Sequence, residues 1–299
     1  MRAVRIDRFG GVEVLRVEDV PEIGAGRGEV LIATVATSIN PVDDKTRSGA
    51  IGEFPLPMTL GWDLAGVVVD AGSGELRPGQ RVFAMSHQLG TGQGTWADLV
   101  ALPADSVAPA PTSLTAAEAA TLPLIGLTAL QTLNWLEVGA GQRLLVAGAA
   151  GAVGAVALQI AHARGVRVDA LVSKDSQLDF VRSAGAEFAT TNPADLPARA
   201  YDAIFDTFGA FATEAVVDGG RYASIATQAG PVPDLSARDV ATTINQVRAD
   251  GAGLRELAGY VDEGRIAVRI DSTFGLHRIR AAHERFAERG RDGKVVVTF

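Results

Sequence analysis

The sequence predicts an α/β protein of two domains, with a β-rich first part and then a parallel sheet covered by helices. Its 299 residues exceed the roughly 150 residues of a typical domain. Residues 1–122 contain short β-branched runs, such as Val30–Val35 and Gly66–Val69, separated by turns with Gly or Pro. Beyond residue 122, strand-like and helix-like segments alternate, which is typical of a parallel sheet.

The junction between the two predicted domains lies near Pro123. Thr115 and Glu118 have the spacing of a capping box, in which each side chain satisfies a free amide at a helix start. The second domain then opens with a strand, Leu144–Ala147, and a helix, Val153–Arg164, which Gly165 ends.

Five further elements of the second domain follow the same alternation. The predicted strands are Val166–Val172, Tyr201–Thr207 and Arg221–Ala226. A helix over 176–184 follows the first of them, and another, ending at Asp218–Gly220, is predicted between the other two.

The C-terminal part is predicted to return to the β-rich domain. It contains an apolar strand from Ile266, an Arg- and Glu-rich helix over 276–288 and a terminal strand over 294–299. We therefore expect residues 1–122 and 268–299 to form one domain and residues 123–267 to form the other.

The amino-acid composition excludes several classes of function. With 47% hydrophobic and 21% charged residues the chain can bury a large core, which excludes disorder over most of its length. The formal net charge of −8 provides no general attraction for phosphate backbones or anionic lipid, so neither nucleic acid nor membrane is an expected partner. The absence of cysteine excludes disulfides and thiolate metal sites.

The N-terminus and the longest apolar run do not predict targeting or membrane segments. Met1–Phe9 alternates charged and apolar residues and so lacks the apolar core of a secretory signal. The apolar run Leu144–Leu158 is shorter than the roughly 20 residues of a membrane span. We therefore predict a cytoplasmic protein.

A glycine-rich turn between the first strand and helix of the second domain indicates a dinucleotide site. Gly151 allows the backbone to approach a pyrophosphate, Gly154 allows close packing of helix and strand, and the helix N-terminus offers free amides. Strand, turn, helix and second strand fall within about 30 residues, as this fingerprint requires. The alternative is a tight turn that uses small residues for packing alone. The predicted contacts in this turn are Ala149, Ala150, Gly151, Ala152, Val153 and Gly154.

The end of the second strand favours NADPH over NADH. An NAD site places Asp or Glu about 20 residues beyond the fingerprint, where this chain has Ser173 and Lys174. A hydroxyl and an ammonium suit a 2′-phosphate. Asp169 comes too early in the strand, whereas Asp175 either favours NADH or caps the next helix. We also expect coenzyme contacts from Thr207 and Ala226, which end the next two strands.

At this point the chain resembles the medium-chain dehydrogenase/reductases, and among them the zinc-independent quinone oxidoreductases related to zeta-crystallin. The resemblance rests on segments in a fixed order along the chain. These are Ser38–Asp43 with Lys45, Gly61–Gly66, Arg77–Phe83, Gly126–Ala129, Ala149–Gly154 and Gly293–Val297.

The resemblance implies a GroES-like β-barrel catalytic domain joined to a Rossmann domain, with a substrate cleft between them. It implies NADPH-dependent hydride transfer to a quinone or an α,β-unsaturated carbonyl. It also implies a homodimer formed through edge strands of the Rossmann domains, here Val240–Val247.

Departures from the superfamily pattern argue against zinc. Zinc-dependent relatives have Gly-His-Glu where this chain has Gly61, Trp62 and Asp63, and they also use cysteine ligands. The histidines show no metal-ligand spacing, and we expect them to be exposed or hydrogen-bonded; they are His87, His162, His277 and His283. Gln177 stands where some relatives have a second phosphate-binding lysine.

Without a metal, the reaction needs hydrogen-bond donors for the negative charge that develops on the substrate oxygen. We predict the Asn40 amide and Lys45 as donors, with Asp43 orienting either side chain and the proton arriving from water. The alternative for Asn40 is a turn opener before Pro41. The resemblance places Thr128 near the nicotinamide ribose, unless it is an ordinary helical threonine. Trp62 lines the substrate cleft or belongs to the core.

Two alternatives stay open at this stage. An enone or alkenal reductase, using NADH or NADPH, performs the same hydride chemistry as a quinone reductase. A protein that binds NADP without turnover, as an interaction or sensor module, is the alternative from another class. Hydrolase and kinase motifs are absent from the sequence.

Overall fold

The computed structural model describes residues 1–72 and 74–299. The strands are β1 (Arg2–Ile6), β2 (Arg16–Asp19), β3 (Glu29–Ser38), β4 (Met58–Thr59), β5 (Asp63–Asp70), β6 (Arg81–Met85), β7 (Leu99–Pro103), β8 (Val107–Pro109), β9 (Arg143–Ala147), β10 (Arg167–Leu171), β11 (Phe188–Thr190), β12 (Tyr201–Asp206), β13 (Val216–Ser224), β14 (Ala241–Ile244), β15 (Ile270–Gly275) and β16 (Lys294–Thr298). The helices are α1 (Pro41–Ser48), α2 (Gln88–Thr91), α3 (Ala116–Ala119), α4 (Pro123–Leu136), α5 (Ala152–Ala163), α6 (Leu178–Ser183), α7 (Gly251–Asp262) and α8 (Ile279–Ala287).

The chain divides into two compact units. The first comprises Met1–Leu127, Arg248–Asp262 and Val268–Phe299, and the second comprises Thr128–Val247 and Glu263–Ala267. The predicted division placed residues 1–122 and 268–299 in one domain and residues 123–267 in the other. It differs at residues 123–127 and 248–262, which belong to the first unit.

Helix α7 explains the difference at residues 248–262. Gly251 lies so close to the 3-10 turn Ala104–Ser106 that an added Cβ would stand 2.5 Å from the Asp105 carbonyl oxygen. At the other end of α7, the Asp262 carboxylate accepts hydrogen bonds from the Thr112 and Ser113 amides at 3.1 and 3.0 Å. These amide donors lower the pKa of Asp262 to about 2. Tyr260, on the same helix, therefore belongs to the first unit, although it falls within the predicted range 123–267 of the second domain.

The sheets of the first unit are antiparallel except for the parallel pair β15 and β16. A seven-stranded sheet has the order β15-β16-β3-β5-β6-β8, with β7 also paired to β3, and a smaller sheet has the order β2-β1-β4. The terminal strand β16 pairs with β3, so that Val297 lies opposite Thr37, and the tail returns to the β-rich part as predicted. One apolar cluster includes Val30, Ile32 and Leu64, and the other surrounds Trp96.

The second unit is a six-stranded parallel sheet in the order β11-β10-β9-β12-β13-β14. Strand β9 lies inside the sheet, between β10 and β12, and is buried from its second residue onward. The chain leaves β9 toward β10 on one side and later places β12 on the other. Ligands of open parallel sheets bind outside the carboxyl ends of the strands at such a reversal of strand order.

Two predicted elements are wrong. No α-helix connects β12 to β13, because residues 207–211 form a loop and only Thr213–Ala215 makes a single 3-10 turn. Asp218–Gly220 lie inside β13, where the β-branched pair Val216 and Val217 favours an extended chain. The strand expected from Ile266 begins only at Ile270. No described helix is long and apolar enough to cross a membrane.

His283 also departs from expectation. The other three histidines are exposed, but His283 is 1% exposed. Neither of its ring nitrogens has a hydrogen-bond partner among the described residues, and its ring packs edge-on against Trp96. Burial, with a smaller contribution from Arg47, lowers the pKa of His283 to about 3.

We expect His283 to make the protein acid-sensitive. The unfolded chain protonates this residue near pH 6.5, whereas the folded-state pKa is about 3. Between these values the unfolded state binds more protons, so stability falls as the pH falls, by up to about 1.4 kcal/mol per pH unit. His283→Phe is expected to reduce the drop in thermal midpoint between pH 7 and pH 4, measured by circular dichroism.

The matched control is His277→Phe, because His277 is exposed on the segment that precedes the same helix. Its pH profile is expected to match that of the unmodified protein. Equal acid sensitivity of the His283 variant and the unmodified protein would contradict the prediction.

Candidate active site

The predicted coenzyme contacts of the second unit lie along one edge of its sheet. The backbone register pairs Ala147 at the end of β9 with Leu171 of β10 and with Asp206 of β12. Asp206 in turn pairs with Ser224 of β13. Each of these strand ends is followed by one group of predicted coenzyme contacts. These groups are the turn at 149–154, the Ser173–Lys174 pair, Thr207 and Ala226. With about 4.8 Å between strands, the four positions span roughly 14 Å.

The glycine-rich turn has the geometry that its sequence predicts. A Cβ on Gly154 would stand 2.2 Å from the Gly148 carbonyl oxygen, so this glycine is required for the packing of α5 on the turn. Gly151 is exposed and would place a Cβ 3.2 Å from the same oxygen, a tight contact but a smaller obstruction. No side chain of the described residues caps α5. The first-turn amides at Ala152 and Val153 are therefore available to an anion.

The segment after β10 exposes Ser173 and Lys174. The Gln177 side-chain oxygen accepts hydrogen bonds from the Ser173 amide and hydroxyl, both at 3.3 Å. The Asp175 carboxylate accepts a hydrogen bond from the Thr191 hydroxyl at 3.0 Å. Gln177 thus fixes Ser173, the residue before Lys174, by hydrogen bonds.

Asp169 is engaged inside the second unit. Its carboxylate accepts hydrogen bonds from Arg143 at 2.6 Å and from the Tyr201 hydroxyl at 2.9 Å. The residue is 2% exposed. Asp169 is thus held by side chains in the middle of its strand.

Thr207 is joined directly to the glycine-rich turn. Its hydroxyl donates to the Ala147 carbonyl at 2.8 Å, and a Cβ on Gly148 would stand 2.2 Å from that hydroxyl oxygen. Ala226 is buried, and its amide donates to the Ser224 hydroxyl at 3.1 Å. Thr128 lies on α4 and is also buried.

In the first unit, Asn40 belongs to a buried polar network. Its side-chain amide donates to Asp63 at 2.7 Å, and its side-chain oxygen accepts a hydrogen bond from Lys294. Asp63 also accepts from the Ser38 hydroxyl at 2.5 Å and from the Leu124 amide at 2.7 Å, near the start of α4. Asn40 and Asp63 are each 0% exposed.

Lys294 has a complete set of hydrogen-bond partners. An ammonium has three hydrogens, and its acceptors are the Ile39 carbonyl at 3.1 Å, the Asn40 side-chain oxygen and Asp63 at 3.4 Å. Burial lowers the pKa of Lys294, and the negative charge of Asp63 opposes that shift.

Asp43 closes the start of α1. Its carboxylate accepts a hydrogen bond from the Asn40 backbone amide at 2.8 Å, as in a capping box. Burial raises the pKa of Asp43, and the nearby carboxylate of Asp63 raises it further. With a proton on Asp43, that carboxyl group is neutral. The network then contains one negative charge, on Asp63, and one positive charge, on Lys294.

Lys45 and Trp62 complete the predicted residues. Lys45 lies on α1 and is partly exposed, unlike Asn40 and Asp43. Trp62 is 5% exposed, its ring nitrogen has no partner among the described residues, and its ring meets the His87 ring edge-on. The structure therefore brings Asn40 and Asp43 together and places Lys45 on the same helix.

Sequence reasoning missed three buried polar residues, Asp63, Lys294 and Asp206. Each carried a recognisable feature, because Lys294 opens an apolar terminal strand and both aspartates interrupt apolar runs. A charged residue in such a run is rarely buried without a partner. The residue types alone do not identify those partners.

Two family profiles match the chain. The "Alcohol dehydrogenase GroES-like domain" profile matches residues 26–112, and the "Zinc-binding dehydrogenase" profile matches residues 169–297. An NADPH-dependent alkenal/one oxidoreductase from Arabidopsis thaliana is 34% identical over 99% of this chain and 79% of its own length. The chain belongs to the medium-chain dehydrogenase/reductase superfamily. Its first unit contains the GroES-like domain of this superfamily and its second unit is the Rossmann-type sheet.

The similarity extends to quinone oxidoreductases. A quinone oxidoreductase from Mus musculus is 35% identical over 62% of this chain and 56% of its own length. A mycobacterial quinone oxidoreductase structure has a TM-score of 0.86, 27% identity and full coverage of both chains. A mycobacterial structure complexed with NADPH has a TM-score of 0.85 and 28% identity, again over both whole chains. This medium-chain reductase is thus quinone oxidoreductase-like.

Removing the Lys294 ammonium is expected to destabilise the protein strongly. Lys294→Met leaves Asp63 buried without its counter-charge, which typically costs about 3–5 kcal/mol. We expect a lowered thermal midpoint in differential scanning calorimetry. The control is Arg289→Met, which removes an exposed cation and is expected to change stability by less than about 0.5 kcal/mol. A Lys294 variant as stable as this control would contradict the prediction.

Proposed function

We propose that this protein is an NADPH-dependent reductase that transfers a hydride to a quinone or an α,β-unsaturated carbonyl without a metal. The observation that carries the proposal is the sheet edge where the glycine-rich turn, Lys174 and Thr207 follow adjacent parallel strands. The NADPH-dependent relative and the NADPH-complexed structural neighbour support this choice of coenzyme.

The residues present fit a phosphorylated dinucleotide. Bound NADPH would supply the hydride. The uncapped amides of α5 bind the pyrophosphate, and Ala149 and Ala150 complete the turn around it. The Lys174 ammonium and the Ser173 hydroxyl hold the 2′-phosphate. Thr207, Ala226 and Thr128 are proposed to contact the remaining parts of the coenzyme.

The residues present do not fit zinc, although one matching profile is named for it. Trp62 offers no metal ligand, and the carboxylate of Asp63 is occupied by Lys294, Asn40, Ser38 and the Leu124 amide. Among residues 1–72 and 74–299, no group of three or more His, Cys, Asp or Glu side chains is arranged to hold a metal ion. We therefore propose no step through a metal.

Lys45 is the proposed donor to the substrate oxygen. Negative charge builds on that oxygen as the hydride is accepted, and a cationic donor stabilises it. Lys45 lies on α1, whose start is fixed by the Asp43 carboxylate and the Asn40 network. Because the Asn40 side chain is fully buried, we propose that Asn40 acts by positioning α1, and Trp62 by shaping the substrate site. Water supplies the proton.

The proposed assembly is a homodimer. Strand β14 is one of the two edge strands of the six-stranded sheet, and Ile244 on it is 41% exposed. An exposed edge strand offers unpaired backbone groups to a second copy of the chain. The proposed location is the cytoplasm.

Lys174→Ala is expected to separate the two coenzymes. Losing a charge-assisted contact to the 2′-phosphate should raise the KM for NADPH about ten-fold and leave the KM for NADH unchanged. Steady-state kinetics with both coenzymes measure this difference. Arg182→Ala removes the same charge from a nearby exposed site and is the control. Equal effects on NADPH and NADH would remove Lys174 from phosphate recognition.

The proposed activity is tested by following NADPH oxidation with 9,10-phenanthrenequinone and, separately, with an alkenal. We expect turnover with the unmodified protein and a ten- to thousand-fold lower kcat for Lys45→Ala, about the range for an oxyanion donor. Turnover of the alkenal alone would identify the enone reductase. Tight NADPH binding without turnover of either substrate would favour the non-catalytic module.

Asn40→Ala is the matched comparison for Lys45→Ala. It should lower the thermal midpoint as well as kcat, because it leaves Asp63 and Lys294 with unpaired groups. Lys45→Ala should leave the midpoint unchanged. An unchanged kcat in Lys45→Ala would exclude Lys45 as the donor.

A further inference from the structure

Asp206 binds its own following loop through a single buried carboxylate. The residue ends β12 and is 0% exposed. It accepts hydrogen bonds from five donors, which are the amides of Phe208 at 3.1 Å, Gly209 at 2.8 Å, Ala210 at 3.1 Å and Phe211 at 3.0 Å and the Tyr222 hydroxyl at 2.6 Å. Residues 208–211 therefore form a concave group of amides around one anion.

The loop adopts a backbone that this carboxylate stabilises. Gly209 has φ +89° and Phe211 has φ +48°. The left-handed conformation is unfavourable for a residue with a side chain, by about 1–2 kcal/mol. Charge-assisted hydrogen bonds from four successive amides compensate for that cost. Without the carboxylate, nothing among these contacts would keep the four amides pointing toward one another.

The same loop carries a proposed coenzyme contact. Thr207 lies between Asp206 and the four bonded amides, and its backbone and hydroxyl both donate to the Ala147 carbonyl, at 2.9 and 2.8 Å. The hydroxyl also lies 3.3 Å from the Gly148 carbonyl oxygen. The chain is thus fixed on both sides of Thr207, directly beside the glycine-rich turn.

We propose that Asp206 is a positioning residue for the coenzyme. It folds residues 207–211 around its carboxylate and so holds Thr207 against the turn at Gly148. Its effect is on coenzyme affinity rather than on the substrate step. This inference rests on the proposed function, because it assumes that the coenzyme lies on this turn.

Asp206→Asn tests the proposal at constant size. A carboxamide presents an oxygen to one set of donors only, so either Phe211 and Tyr222 or the other three amides face an NH₂ group. We expect the Kd for NADPH, measured by its fluorescence, to rise about ten-fold or more. The KM for NADPH should rise with it while the KM for the quinone stays unchanged. Amide hydrogen exchange over 208–211 in the coenzyme-free protein should accelerate.

Asp169→Asn is the matched control. Asp169 is a buried aspartate of the same sheet that also accepts a tyrosine hydroxyl, from Tyr201 at 2.9 Å. This variant should leave NADPH affinity and the exchange of 208–211 unchanged. Tyr222→Phe, which keeps all four amide donors, should bind NADPH within about three-fold of the unmodified protein. Unchanged exchange of residues 144–147 establishes that Asp206→Asn is folded.

Three outcomes overturn the proposal. These outcomes are NADPH binding by Asp206→Asn as tight as that of the unmodified protein, an equal loss of NADPH affinity in Asp169→Asn, and exchange of 208–211 that stays slow in Asp206→Asn. An unmodified protein that fails to bind NADPH overturns the proposed function and the coenzyme role of Asp206 with it. Hydrogen exchange still decides in that case whether Asp206 holds the loop, so the two failures are distinguishable.

Discussion

Lys294 and Asp63 form a buried ion pair where three strands of the first unit meet the start of α1 and the first turn of α4. Lys294 opens β16, Asp63 opens β5, and Ser38 ends β3. Asn40 precedes α1, and the Leu124 amide lies in the first turn of α4. Two charges in a low-dielectric interior are stable only when their geometry and remaining hydrogen bonds are complete. Because each element contributes a donor or an acceptor, displacing one would leave a buried polar group unpaired.

The second unit stabilises its buried carboxylates with different donors. Asp206 is surrounded by backbone amides of its own loop, whereas Asp169 accepts from the side chains of Arg143 and Tyr201. The difference follows from position. Asp169 lies within a strand whose amides belong to the sheet, so only side chains can reach it. Asp206 is the last residue of its strand, and the free amides of the following loop are within reach. At the end of β12, Asp206 therefore combines a buried charge with a fixed loop. A coenzyme site requires such a fixed loop.

The sequence was sufficient for the features that depend on local chemistry. The capping box of Thr115 and Glu118 forms, and the glycine-rich turn lies between β9 and α5. Sequence alone could not show that Asp206 gathers the following amides, because the segment after it has helix-compatible residues and was predicted to contain a helix. It also could not show that Asn40 is buried between Asp63 and Lys294, since those partners lie 23 and 254 residues away. Long-range hydrogen bonds depend on the register of the sheets, which local patterns do not determine.

The choice of lysine at position 294 illustrates how such constraints select a residue type. The chain has three lysines, Lys45, Lys174 and Lys294, and its other basic residues are arginine. At 294 the pocket offers three acceptors, which match the three hydrogens of an ammonium. A guanidinium carries five N–H donors in a planar group, and two of them would be buried without an acceptor. The free-energy cost of burying these unsatisfied donors exceeds the free energy that the hydrogen bonds of the guanidinium would contribute. The count of acceptors, rather than charge alone, therefore requires lysine at this position.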